Sequence, residues 1–327
     1  MIMKYLLSLA AFVFAVSACR SQSTTRMNEA MDRAMTEHFT ADAPGGGVLV
    51  AQGGEVLYES ARGMAHLSTH KPLSIESQFR IGSVTKQFMA VAILQLAEAG
   101  KLNVSDEIQK YLDYFPKKEQ PISIEHLLTH TSGIVSFTGL PMYTAETYGR
   151  DVPLRTLIAY FEDLPLEFAP GTNWHYSNSG YILLTAILEK ASGQTWEKYA
   201  ADHLFAPAGM THTSASLAHE PLPKEAVGYA KDSTGWIPAW PISMTWPLGA
   251  GNIRSTVRDL WKWNSAVFAG KLVSPALLAK AHQPFVLADG RPHPYGYGWF
   301  FQNVQGSPTI EHGGGIDGFV SQSIYLP

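Results

Sequence analysis

Between Ser83 and Gly100 the chain reads SVTKQFMAVAILQLAEAG, which is apolar on nearly every helical face. A helix of that kind cannot rest on a surface with one stripe in water; the rest of the chain has to enclose it. Gly100 suits the residue just past the end of such a helix. A chain of 327 residues, 46% hydrophobic and 16% charged, is long enough to enclose it as one large domain or as two lobes. Lys86 stands out, because it falls in the first turn of this buried helix, where a lysine without a partner is costly. A snorkelling side chain is the plainer account of it.

Three residues before Lys86 stands Ser83. A serine hydroxyl attacks poorly until a base takes its proton, and helical residues three apart share a face with Cβ atoms about 5–6 Å apart. To serve as that base near neutral pH, Lys86 must fall roughly three units from about 10.4, through burial and the positive end of the helix. The spacing alone decides little. With 26 serines and 14 lysines in the chain, about one Ser-x-x-Lys pair arises by chance.

Two further polar clusters matter. Tyr176-Ser177-Asn178 lies between the turn Pro170-Gly171-Thr172-Asn173 and an apolar helix starting near Tyr181. About 0.3 Tyr-x-Asn matches are expected by chance, although Ser177, Asn178 and Ser179 all suit a helix N-cap. Glu311-His312-Gly313-Gly314-Gly315 precedes the last strand-like run. Its glycines let backbone approach a ligand closely, or equally form a plain turn.

In this order, SVTK at 83–86, YSN at 176–178 and HGG at 312–314 resemble the three motifs of the serine β-lactamase and penicillin-binding-protein superfamily. The local text is closest to the class C branch, with its β-lactamases, D-alanyl-D-alanine carboxypeptidases, D-aminopeptidases and esterase relatives. LLTHTSGI at 127–134, PGTNWHYSNSGYILLTAILEKASG at 170–193 and GAGNIRSTVRDLWKW at 249–263 extend the resemblance from about residue 45 to the end. It implies a two-lobed α+β fold, an antiparallel sheet with flanking helices meeting a helical lobe, with the site in the groove between. The sheet lobe would comprise about 27–80 and 245–327, and the helical lobe about 81–244.

Carried over residue by residue, the resemblance implies that Ser83 is acylated, Lys86 shares its proton, and Tyr176 is the general base that later protonates the leaving group. Asn178 orients the substrate amide, and His312, Gly314 and Gly315 are substrate-binding residues. The backbone N–H groups of Ser83 and Gly315 form the oxyanion hole. No metal or cofactor is called for, and the partner is a small-molecule or peptide substrate. D-amino-acid peptides or esters are expected first, with β-lactam hydrolysis or stable penicillin binding as alternatives. His312 stands where class C β-lactamases have lysine, which weakens recognition of a substrate carboxylate.

Independently of the resemblance, local pattern predicts a helix over 28–39 and a tight hairpin at Val48–Ala51 and Val56–Glu59 around Gly53-Gly54. Helices are predicted over 124–128, 154–162, 180–191 and 196–204, and strands over 296–301 and 319–326. Aromatic residues from Trp236 to Trp246, with Tyr143, Tyr295 and Trp299, either line a groove or fill the core. His126 and His130 share i and i+4 spacing, but the inner glutamate of a zinc-protease helix is missing. The Gly-x-Ser-x-Gly elbow of α/β-hydrolases is absent, and Gly249-Ala250-Gly251 lacks a dinucleotide loop's third glycine.

The start of the chain has its own logic. Lys4 and the apolar run 5–16 have signal-peptide proportions, being too short to span a bilayer. Val16-Ser17-Ala18-Cys19 resembles a bacterial lipobox, so removal of 1–18, acylation of Cys19, a tether over 19–26 and a periplasmic, membrane-anchored lipoprotein are expected. Arg20 after the cysteine suggests the outer membrane. Cys19 is the only cysteine, so no intrachain disulfide can form. A net charge of −4 without a basic stripe argues against nucleic acid. The chain stops at Pro327, soon after the third motif, and a truncation there would leave a sheet edge unpaired.

Overall fold

The computed structural model describes residues 25–218 and 222–327. The expected leader, Cys19 and residues 19–24 of the expected tether lie outside the described residues. The chain divides into two compact units, one up to Ile75 and one from Glu76 onward. The fold is α+β, with helices and antiparallel sheets.

In the first unit, residues 25–38 are helical, including the last two residues of the expected tether. Strands Gly46–Gln52 and Glu55–Arg62 pair antiparallel around Gly53-Gly54. Both turn glycines have positive φ, +59° and +84°, as a primed two-residue hairpin turn requires.

The second unit is built around the predicted apolar helix. A 3-10 turn, Gly82–Val84, leads into the α-helix Thr85–Glu98, in which every residue from Thr85 to Leu94 is buried. It packs against the helix Asn178–Ser192 and the short helix Leu248–Gly251. Phe88 stacks on Trp263 with ring centres 3.7 Å apart. Gly249 is small for a reason, since a Cβ there would stand 2.2 Å from Met89 Cε and 2.5 Å from Thr185 Oγ1. The three helices therefore meet at van der Waals contact, which brings the Ala250 carbonyl to Lys86.

Strands Phe79–Arg80 and Arg254–Ser255 pair just ahead of the serine turn. They place Arg80 and Arg254 opposite each other, and Glu225 separates their charges. Arg80 Nε donates to Glu225 Oε1 at 2.6 Å, and Arg254 Nε lies 2.8 Å from Oε2. Arg254, fully buried, also donates to the carbonyls of Ser216 and Ala218. An unpaired guanidinium there would cost several kcal/mol, so one carboxylate shared by two arginines pins the strand that delivers Ser83.

The late strands differ from the local prediction. Phe300–Val304, Ser307–Ile316 and Phe319–Tyr325 form one antiparallel sheet in that order. His312 and its three glycines therefore lie inside the middle strand and do not form a turn. Glycine weakens a strand by itself, so the pattern hides this strand. Pairing of Glu311 with Phe300 on one side, and of Gly313–Gly315 with Gln322, Ser321 and Val320 on the other, overrides local preference. The strand predicted over 296–301 instead begins at Phe300, after a left-handed Gly298 with φ +84°. The helix predicted over 196–204 ends at Ala200 and passes into a π turn, Ala201–Phe205.

Candidate active site

The 3-10 turn leaves Ser83 half-buried at the head of the buried helix, facing a cleft. Lys86, one turn on, is completely buried. Its Nζ lies 3.0 Å from Ser83 Oγ, 2.9 Å from Asn178 Oδ1 and 2.8 Å from the Ala250 carbonyl oxygen. It also sits over the rings of Tyr176 and Tyr181, 4.8 and 5.3 Å from their centres. Burial pushes its pKa well below the usual lysine value.

Each of the three neighbours of Nζ offers it an acceptor oxygen. The Ala250 carbonyl can only accept, and so can Asn178 Oδ1, because Asn178 Nδ2 donates to Thr138 Oγ1 at 3.2 Å. A neutral amine has two N–H bonds for those acceptors and one lone pair left. In that neutral form the lone pair is left for the Ser83 hydroxyl, whereas the ammonium donates to all three oxygens.

Tyr176 also reaches the serine, through a hydrogen bond. Burial raises its phenol pKa, partly offset by a hydrogen bond with Ser83. Its ring packs at a 36° tilt, with centres 4.2 Å apart, on His130, a residue absent from the sequence-derived site. His130 is buried with φ +60°, its Nδ1 accepts from the Ser177 N–H, and burial holds it neutral. Asn178 begins the second helix, and its N–H donates to Ser136 Oγ at 3.1 Å. Ser136 and Thr138 thus anchor both ends of Asn178. They lie just beyond the polar stretch Thr129-His130-Thr131-Ser132, which follows the helix Ile124–Leu128.

His312 stands behind this group. It is buried, with Nδ1 2.6 Å from its neighbour's Gly313 carbonyl and Nε2 3.0 Å from Tyr295 Oη. The first contact requires an N–H on Nδ1; in the neutral ring Nε2 then accepts from the tyrosine. Burial lowers its pKa to about 3.

Gly314 and Gly315 bring the middle strand against the serine turn. A Cβ on Gly314 would fall 2.0 Å from the Ile81 carbonyl oxygen and 2.5 Å from Ser321 Oγ; one on Gly82 would fall 2.9 Å from the Gly315 nitrogen. Ser83 and Gly315 line the same cleft. We expect Gly314→Ala to cost about 1–3 kcal/mol as an overpacking change, read as a lowered urea midpoint with unchanged slope. An unchanged midpoint would show that the strand does not press on the turn.

The remaining candidates separate. Tyr143 lines the cleft, whereas Trp246, Tyr295 and Trp299 are core residues, and Trp236 and Trp240 are exposed. The helix carrying His126 ends at Leu128, so His126 and His130 do not share a helical face. His126 exchanges hydrogen bonds with Ser123 in a capping box.

A buried helix headed by serine and lysine, a tyrosine ring beside the lysine and a glycine strand against the serine turn bring the three sequence motifs together. The chain belongs to the Beta-lactamase family, which it matches over residues 29–327. It is 32% identical to penicillin-binding protein 4* of Bacillus subtilis (strain 168), over 85% of this chain and 64% of that protein. A D-aminopeptidase of Brucella canis is 28% identical over 90% of this chain and 56% of its own length. The crystal structure of a penicillin-binding protein from Bacillus halodurans superposes with a TM-score of 0.75 at 29% identity, covering 86% of this chain and 88% of that one. The chain spans less than two thirds of the length of the curated relatives it matches.

Proposed function

We propose that this chain is a serine hydrolase that forms an acyl-enzyme on Ser83 and acts on amide, peptide or ester bonds, D-amino-acid derivatives foremost. The observation that carries the reading is the completely buried Lys86 amine 3.0 Å from Ser83 Oγ, with its pKa driven down by burial. In this mechanism Lys86 takes the hydroxyl proton as Oγ bonds to the acyl carbon. Tyr176, held protonated by its surroundings, gives its proton to the leaving nitrogen or oxygen and is reprotonated from Lys86. Water then cleaves the ester by the reverse relay. The N–H groups of Ser83 and Gly315 receive the oxyanion, and Asn178 orients the substrate.

A neutral His312 with both ring nitrogens engaged inside the protein offers no cation to a substrate carboxylate. That favours esters and amides lacking a carboxylate over β-lactams and carboxypeptidase substrates. The test is covalent labelling with a fluorophosphonate followed by peptide mapping; a label on any residue other than Ser83, with activity present, removes the reading.

We also propose export and lipid anchoring at Cys19 to the periplasmic face of a bacterial membrane. The support is in the sequence: Lys4, the short apolar run and the lone cysteine after Ser17-Ala18. Radiolabelled palmitate is expected to enter the wild-type protein and not Cys19→Ala; equal incorporation would reject the anchor.

A further inference from the structure

Among the residues lining the cleft beside Ser83, Asp317 is the one with a charged side chain. It forms, with Gly318, the two-residue turn joining the middle strand to the last, where Ile316 pairs with Phe319. Asp-Gly is an ordinary hairpin turn when both residues have positive φ. Here Gly318 alone does, at +78°; Asp317 is not in the left-handed region. The turn therefore accepts most residues at 317, and its geometry does not explain an acid.

The surroundings of the carboxylate are lopsided. The Tyr148 hydroxyl bonds to it, while Asp317 Oδ2 is buried and has no hydrogen-bond partner among the described residues. A buried acceptor left unpaired is costly, and such groups in native structures usually have a reason. The turn is also held in place: a Cβ on Gly228 would come within 3.0 Å of the Asp317 carbonyl oxygen, and one on Gly318 within 2.6 Å of Gly228. The same cleft is lined by the aromatic rings of Phe137 and Tyr143, packed edge to face at 5.5 Å. A carboxylate beside aromatic faces suits an ammonium group, which needs acceptors and is drawn to ring faces. An anionic group would be repelled.

We propose that Asp317 receives a protonated amine of the substrate, so that the preferred substrates are amino-acid amides, peptides or esters with a free amino group beside the acyl carbon attacked by Ser83. This inference rests on the hydrolase reading above. Asp317 lies two residues past Gly315, whose N–H faces the developing oxyanion in that reading, so an amine next to the acyl carbon is the group that meets it.

The experiment compares kcat/KM for D- and L-alanine p-nitroanilide with their N-acetylated counterparts, using the enantiomer cleaved faster. Wild-type protein is expected to favour the free amine, and Asp317→Asn to shrink that preference by about 10- to 100-fold, the loss of a charge-assisted hydrogen bond. A preference undiminished in Asp317→Asn, or a wild-type protein indifferent to acetylation, overturns the inference. Should the variant not fold, inhibition of wild-type p-nitrophenyl acetate hydrolysis by alanine amide and by N-acetylalanine amide decides, with only the first expected to compete. Hydrolysis of that neutral ester, and its loss in Ser83→Ala, tests the hydrolase reading separately. A protein that cleaves the ester through Ser83 yet ignores the amine refutes this inference alone.

Discussion

Ser83→Ala is expected to lower kcat on an activated ester about a million-fold, the loss seen when the nucleophile of a serine hydrolase is removed. It should also abolish fluorophosphonate labelling. Lys86, Tyr176 and the backbone donors stay in place, but no remaining oxygen at that spot can bond to the acyl carbon. Residual rate should come only from polarisation of the carbonyl and from bound water. Stability should change little, because Ser83 is half-buried and its side chain is small. The measurement is a pair: turnover of p-nitrophenyl acetate and intact-mass labelling, on protein whose melting temperature matches wild type. A variant within tenfold of wild type would mean that another residue performs the attack.

The parts of this site that could be read from sequence are those in which chemistry and local pattern coincide. Ser83 and Lys86 share a helical face whatever the tertiary structure, and the apolar run after them declares that face buried. The hairpin at Gly53-Gly54 is similarly local. The glycine strand was not legible, because its three glycines oppose strand formation and only pairing with Gln322, Ser321 and Val320 holds them extended. Nor was the anchoring of Asn178 by Ser136 and Thr138, 42 and 40 residues away in sequence, since hydroxyls at such separations leave no periodic trace. His312 teaches a related lesson. Its place in the motif suggests a substrate contact, yet only the structure reveals that Tyr295 and the Gly313 carbonyl already occupy both of its nitrogens.

Lys86→Arg is expected to lower kcat/KM by about 100- to 10,000-fold, the range for losing a general base. Arginine keeps the positive charge and cannot be deprotonated in a protein, so the variant separates charge from basicity at this position. Lys86→Met removes both, nearly preserves the side-chain volume, and should lose as much. The wild-type pH profile follows with a defined sign. Burial lowers the Lys86 pKa, so activity, which needs the base form, should fall as pH drops through that lowered value. Burial raises the Tyr176 pKa, so loss of its proton should limit activity only at strongly alkaline pH. His312, with a pKa of about 3, is too acidic to shape the neutral range, and His312→Gln should keep the acid limb where it is. Turnover of a neutral ester from pH 4 to 10 tests both statements. An acid limb that vanishes in the His312 variant, or an arginine variant with wild-type rates, would remove Lys86 from its place as the base.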